Sequence, residues 1–166
     1  MKIQTVKRIL ITFLVNHVYA GTTFFETKRK LLNSIGCEIG EGTKVVAPII
    51  CTGKLVVGEN CWLGRDLKIQ GNGTVIIGNN CDVAPDVTFL TGGHEIGSLA
   101  RRAGKGEVYT ISVGDGCWIG ARSTLGRDIL IGKSCVVAAG ACVMKSVRDN
   151  MLVGGVPAKE IKKLDD

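Results

Sequence analysis

Apolar residues recur every six positions between Ile39 and Val143, and this period constrains the fold more than any other feature of the chain. All fifteen positions of the series are apolar, and glycine follows eight of them. A period of six fits neither the 3.6-residue period of a helix nor the two-residue alternation of a simple strand, and it is typical of a parallel β-helix. The series consists of Ile39, Val45, Cys51, Val57, Leu63, Ile69, Ile77, Val83, Phe89, Val113, Ile119, Leu125, Ile131, Val137 and Val143.

Three hexads close one triangular coil, so the sequence predicts an all-β domain of about five coils over residues 39–148. Residues 95–112 break the rule and carry several charges, which predicts a protruding loop whose last residues, 110–112, rejoin the wall. Residues 1–38 are predicted to be a helical N-terminal segment and residues 149–166 a C-terminal tail. The length and composition suit one globular domain.

The N-terminal residues have apolar side chains at helical spacing, which predicts an amphipathic helix that docks on the prism through that face. The basic start and the small residues near position 20 also resemble a signal peptide, so export is the alternative. No stretch reaches the roughly 18 to 20 apolar residues of a membrane-spanning helix, and no membrane span is expected. The predicted docking face consists of Val6, Ile9, Leu10, Phe13, Leu14 and Val18.

The net charge of +6 permits an anionic partner, but aromatic residues make up only 5% of the chain, which disfavours nucleic acid. Five residues separated by whole coils, four of them cysteines, form one predicted interior column: Thr43, Cys61, Cys81, Cys117 and Cys135. Thiols are small apolar fillers, and no CxxC pair occurs, so packing is favoured over disulfides or metal binding. This cysteine usage indicates a reducing compartment, the cytoplasm, and no metal is expected.

Three stretches carry a resemblance to a known family: "IGNNCDVAPDVTFLTGGH", "VGDGCWIGARSTLGRDILIGKSCVVAAGACVMKSV" and "VGGVPAKEIKKL". Over residues 35–164 the chain resembles the hexapeptide-repeat acyltransferases, most closely the maltose, galactoside and capsular-polysaccharide O-acetyltransferase branch. The resemblance implies that the β-helix is left-handed. It also implies a homotrimer that binds acetyl-CoA in the groove between neighbouring prisms.

The family's histidine at the start of the projecting loop matches His94, which is therefore the expected general base. Imidazole can take a proton from an acceptor hydroxyl and return it to the departing CoA sulfur. Trp118 matches a tryptophan that shapes the groove wall. The resemblance assigns cofactor contacts to Ala121, Ala139, Met144, Lys145, Lys159 and Lys162.

Candidate acceptor contacts are Asp66, which lies near the position where sugar-acetylating relatives carry an orienting asparagine, and three loop residues: Glu95, Arg101 and Arg102. Glu95 is also adjacent to the base and is a candidate to orient it. Because Gly64 stands where the asparagine would be, the acceptor's identity is not carried over. His17 and Ser123 are expected to be structural.

The predicted function is acetyl-CoA-dependent O-acetylation of a hydroxyl on a sugar or surface-polysaccharide precursor. The alternatives are a serine O-acetyltransferase, an amino-sugar N-acetyltransferase and a non-enzymatic β-solenoid scaffold. A zinc carbonic anhydrase of this fold needs three histidines around the metal, whereas the chain has two.

Overall fold

A computed structural model describes residues 2–165, apart from the side chain of Lys2. The chain winds into a three-sided prism in which each coil contributes one short strand to each of three parallel sheets. The first two coils contain β1 (Glu38–Ile39), β2 (Lys44–Val45), β3 (Ile49–Cys51), β4 (Lys54–Val57), β5 (Trp62–Leu63) and β6 (Leu67–Gln70). The next three contain β7 (Thr74–Ile77), β8 (Asp82–Val83), β9 (Thr88–Leu90), β12 (Thr110–Val113), β13 (Trp118–Ile119), β14 (Thr124–Gly126), β15 (Ile129–Ile131), β16 (Val136–Val137) and β17 (Cys142–Val143).

The first sheet has the order β1-β4-β7-β12-β15, and the third sheet has the order β17-β14-β9-β6-β3. The second sheet contains β2, β5, β8, β13 and β16 and continues into two later strands, β18 (Met151–Gly155) and β19 (Ala158–Lys163). Parallel pairing aligns each position of the six-residue series with its equivalent one coil away, as in Ile77 with Val113.

The six-residue series forms the core of the prism, as the sequence predicts. Fourteen of its fifteen side chains are buried, and Cys51 is half-buried. The burial of apolar side chains from all three sheets is the main favourable contribution to the fold.

The prism is longer than the predicted five coils, because a sixth begins after β17. Val147 forms a bridge with Ile131, and β18 then pairs with β16. Residues 151–155 are therefore part of the wall, although the sequence prediction assigned them to a separate tail. Asp149 occupies the next position of the series, so the apolar period stops before the wall does. Met151 and Val153 are nevertheless buried and close the end of the core.

The predicted interior column of Thr43 and four cysteines is present, and all five residues are buried. Each side chain donates a hydrogen bond to a carbonyl of the next coil, as from Thr43 Oγ1 to Gly58 O (2.7 Å) and from Cys117 Sγ to Gly132 O (3.0 Å). All seven cysteines are free thiols. The neighbouring Cys117 thiol and burial together raise the pKa of Cys81 to about 11. Cys81 is therefore a protonated thiol, whereas the same contact with Cys81 lowers the pKa of Cys117.

The N-terminal segment comprises α1 (Lys2–Phe13), a π-helical turn (Leu14–Val18) and α2 (Phe25–Asn33). It docks on the first coils through Ile11, Val15 and Leu32, which are buried. Asn16 both donates to Ile49 O (2.9 Å) and accepts from Ile49 N (3.0 Å).

The predicted docking face of α1 is wrong. Of its members, Val6, Ile9, Leu10, Phe13 and Val18 are 54 to 66% exposed, and Leu14 is half-buried. The helix turns its Ile11 side to the prism because Arg8 and Asn16, which satisfy backbone groups of the first coil, lie on that side. Among the described residues, no helix is long and apolar enough to cross a membrane.

The protrusion predicted over residues 95–112 is an antiparallel hairpin formed by β10 (Gly92–Ile96) and β11 (Ala103–Val108). The hairpin begins three residues earlier than the predicted loop, so His94 lies inside a strand and pairs with Gly106. The chain rejoins the first sheet at Thr110.

Candidate active site

A cavity of about 550 Å³ lies between the base of the hairpin and the corners that end the third sheet. The hairpin supplies polar groups on one side of the cavity, and the corners after β14 and β17 form the opposite side. The cavity is lined by Leu90, Gly92, Gly93, His94, Glu95, Ile96, Glu107, Tyr109, Gly126, Arg127 and Met144.

His94 is exposed, and its ring is held by the hairpin's own backbone: Nδ1 lies 3.0 Å from Gly104 O. A carbonyl oxygen can only accept, so Nδ1 must carry the hydrogen. In the neutral ring Nε2 is then the unprotonated nitrogen, which is the form a general base needs. The partner of the ring is thus a carbonyl, whereas the sequence suggested the Glu95 carboxylate for this role.

Tyr109 supports the segment that precedes His94. Its hydroxyl donates to Glu107 Oε2 (2.6 Å), and its ring packs against Gly93, where an added Cβ would lie 2.6 Å from the Tyr109 oxygen. The Glu107 carboxylate raises the pKa of Tyr109, so the phenol stays protonated and remains a donor. Only glycine at position 93 admits this ring, and the contact fixes the backbone beside the base.

Tyr109 and Arg127 line the cavity but are absent from the residues predicted from the sequence. Tyr109 directly precedes β12, and Arg127 follows the apolar position Leu125 by two residues. Neither position has a sequence signature, because only the fold brings the hairpin base beside the β14 corner.

The corner between the second and third sheets presents a second group of predicted residues. Ala121 and Ala139 occupy it in successive coils, and Gly140 N donates to Ala121 O (2.8 Å). Among the described residues, no backbone acceptor pairs with the amide N–H of either alanine. These amides are therefore available to a ligand that carries amide oxygens.

Two of the three lysines of the C-terminal strand are the predicted phosphate contacts. β19 folds back on β18, and Gly154 packs against both Ala138 and Ile161, each of which would lie 3.0 Å from an added Cβ. Lys159 and Lys162 flank Ile161 and are exposed. Lys159 pairs with Gly154 and therefore lies near this corner, and the phosphate contacts of both lysines stay a prediction.

The remaining predicted residues are distributed over three places. Met144, 38% exposed, lies with His94 on the cavity, and Lys145 follows it at the same corner. Trp118 is exposed on the second sheet, between Asp82 and Val136 of the neighbouring coils.

Asp66 lies at the same corner as Ala121, two coils earlier, and forms an ion pair with Arg65 (3.3 Å). Arg101 and Arg102 are at the exposed tip of the hairpin, where Arg102 donates to Gly97 O (3.3 Å), and neither arginine lines the cavity. Within one chain the structure therefore does not bring these three residues to His94.

His94 and Ala121 also lie far apart within one chain. Ala121 precedes β14, whereas the His94 cavity opens at the corner that follows β14. A strand of the third sheet thus separates the base from the predicted cofactor corner. In the described part of the chain, no group of three or more His, Cys, Asp or Glu side chains is placed to hold a metal ion.

The fold is a parallel β-helix, and comparison with known proteins finds the same fold in hexapeptide-repeat acetyltransferases. Residues 110–145 match the family described as bacterial transferase hexapeptide (six repeats). The chain is 29% identical over 143 residues to galactoside O-acetyltransferase of Escherichia coli (strain K12). The aligned region covers 85% of this chain and 70% of the relative.

It is also 27% identical over 135 residues to the putative colanic acid biosynthesis acetyltransferase WcaF of Escherichia coli (strain K12), covering 80% of this chain and 72% of the relative. A solved galactoside acetyltransferase in complex with coenzyme A superposes with a TM-score of 0.81 at 25% identity, covering 98% of this chain and 83% of that one. The chain is therefore similar in repeat, sequence and fold to hexapeptide-repeat acetyltransferases.

Proposed function

We propose that the protein transfers an acetyl group from acetyl-CoA to a hydroxyl of a sugar or surface-polysaccharide precursor, with His94 as general base. The observation that carries the proposal is the hydrogen bond between His94 Nδ1 and Gly104 O, because it leaves Nε2 unprotonated beside a cavity. The acceptor class is supported by the galactoside and colanic acid relatives.

The residues of the second corner fit acetyl-CoA. The free amides of Ala121 and Ala139 suit the amide oxygens of the pantetheine arm, and Lys159 and Lys162 suit the phosphates of the nucleotide. Met144, Lys145 and Trp118 complete the proposed contacts. When bound, acetyl-CoA supplies the thioester carbonyl that is attacked and the thiolate that leaves.

His94 manages the proton in this reaction. A hydroxyl becomes an adequate nucleophile only as its proton is removed, and Nε2 accepts that proton while the oxygen bonds to the acetyl carbon. The protonated ring keeps its bond to the Gly104 carbonyl, which stabilises the added charge. Nε2 then releases the proton to the departing sulfur, so the base is regenerated.

We further propose a homotrimer, because the two halves of the site lie at opposite ends of β14 in one chain. A neighbouring copy that presents its Ala121 corner to His94 completes the site. In that arrangement Asp66 of one copy, and Glu95, Arg101 and Arg102 of the other, are available to the acceptor. The seven free thiols support a location in the reducing cytoplasm.

A CoA-thiol release assay tests the proposal with galactosides, maltose, nucleotide sugars, amino sugars and serine as acceptors. We expect a sugar hydroxyl to be the best acceptor, and His94→Ala to lower kcat/KM by about 100-fold or more. His17→Ala, which removes the only other histidine, is the matched control and should retain activity.

Light scattering coupled to gel filtration checks that both variants keep the mass of the parent, expected to be three chains. Full activity of His94→Ala would rule out the base assignment. Preference for serine or for an amino sugar would replace the acceptor class, and absence of acetyl-CoA binding would favour a scaffold.

A further inference from the structure

The outward side of α1 carries a continuous apolar face, defined by Ile3, Val6, Ile9, Leu10 and Phe13. These side chains are 88, 64, 66, 56 and 54% exposed, respectively. Their spacing of three and four residues places them along one side of the helix. The α1 apolar face is therefore a stripe of large side chains in contact with water.

The exposure of this face is not a sign that the helix is detached. On the other side of α1, Ile11 is buried, and Val15 of the following turn is fully buried. Lys7 donates to Ser34 O and Arg8 to Cys51 O, both at 2.8 Å. The docking contacts thus fix the rotation of the helix and hold the apolar face outward.

Exposed apolar side chains are concentrated in this segment. Of seventeen large apolar residues that are exposed in the described part of the chain, seven lie within the first 24 positions. Besides the α1 apolar face they include Val18 and Phe24, and Phe24 has a left-handed φ of 53°. Contiguous apolar patches of this kind mark sites that bind a protein or a membrane.

The charge of the same segment identifies the partner. Residues 1–24 contain three basic residues, Lys2, Lys7 and Arg8, and no acidic residue, a net charge of +3. If a second copy docked through this face, the positive charges of the two N-terminal segments would repel each other. An anionic bilayer instead attracts the basic residues and accepts the apolar side chains at the boundary of headgroups and acyl chains.

We propose that α1 binds in the plane of an anionic lipid bilayer, with the α1 apolar face inserted and the β-helix standing outside the membrane. The helix acts as a peripheral anchor, which is compatible with its short length. This inference rests on α1 alone and is independent of the proposed catalysis.

Vesicle flotation of the full chain tests the anchor. We expect binding to phosphatidylcholine vesicles that contain about 30% phosphatidylglycerol, and at least tenfold weaker binding to pure phosphatidylcholine or in about 0.5 M salt. Leu10→Glu/Phe13→Glu should lower binding at least tenfold, because it places two charges where acyl chains would lie.

The matched control is Ile96→Glu/Leu99→Glu, which adds the same charges to hairpin residues that are 89 and 88% exposed, and it should bind like the parent. Circular dichroism checks folding, and Ile3→Glu/Val6→Glu, further from the docked residues, replaces the first variant if that variant unfolds. Equal binding to neutral vesicles, or unchanged binding of the α1 variants, would overturn the proposal. If the parent binds neither type of vesicle and Leu10→Glu/Phe13→Glu has a lower oligomeric mass than the parent, the partner of this face is a second copy instead.

Discussion

The prism wall and the hairpin at residues 92–108 both consist of short strands, but their side chains differ in burial. In the wall, one side chain of every hexad is enclosed, whereas every hairpin residue is exposed or half-buried. Packing therefore fixes the wall, and the hairpin is fixed by backbone pairing and by the Tyr109 contact at its base. The packed wall thus supports a segment whose surface side chains are free to take part in chemistry.

The largest effect should come from a cavity in the wall. Phe89 is fully buried, so Phe89→Ala should lower the free energy of unfolding by about 3 to 5 kcal/mol. Leu99→Ala, at an 88% exposed hairpin position, should change it by less than about 0.5 kcal/mol. Urea unfolding at equal protein concentration measures both, and similar losses would contradict the contrast.

The thiol column should make the wall sensitive to alkali. Because Cys81 has a folded pKa of about 11 against an ordinary value of 9.0, the unfolded thiol loses its proton first. The stabilising contribution is complete below pH 9 and is lost as the pH rises to about 11, by at most about 3 kcal/mol, because the same contact lowers the pKa of Cys117 and offsets part of the effect. Urea unfolding across this range should show a shallower decline for Cys81→Ser; parallel curves for parent and variant would exclude the effect.

Substitution of one glycine in the wall and one in the hairpin tests how much room each region leaves for an added Cβ. An added Cβ at Gly120 would lie 2.5 Å from Ala139 N and 2.6 Å from Val137 O, so Gly120→Ala should cost about 1 to 3 kcal/mol. At Gly106 in the hairpin nothing lies within 4 Å, and Gly106→Ala should be neutral or stabilise by about 0.5 kcal/mol. Thermal melting compares them, and an unstable Gly106→Ala would show that the hairpin is packed like the wall.

The smallest effect concerns the junction of the two regions. Tyr109→Phe removes the hydrogen bond to Glu107, and we expect kcat to fall about three- to tenfold with little change in melting temperature. Tyr19→Phe alters the only other tyrosine and should leave kcat unchanged. A stability loss without loss of kcat would assign Tyr109 to the wall alone.

Much of the wall could be predicted from the sequence because the position of a residue within its hexad sets whether its side chain points into the core or toward solvent. Ile119 and Leu125 could be assigned to the core in this way, and the cysteine column follows from the same arithmetic. The prediction failed where the period failed: Asp149 breaks the series, so the strand at residues 151–155 was not foreseen.

The candidate site was foreseen in part. His94 and the exposed lysines follow from motif resemblance, but the Gly104 carbonyl that holds the imidazole does not, because every residue carries a carbonyl and only strand pairing selects one. Tyr109 was missed for a similar reason. Its role depends on the space that Gly93 leaves, which is a tertiary contact.

The repeat, the inward-facing side chains and the point where the wall is interrupted can all be read from the sequence, since they depend on spacing along the chain. The folded structure alone selects which face of α1 docks and which faces water, because more than one face of the helix is apolar and the polar contacts of Arg8 and Asn16 fix its rotation. It also decided that His94 and Ala121 lie at opposite ends of β14. Distances between elements arise from how coils stack, and no local pattern encodes them.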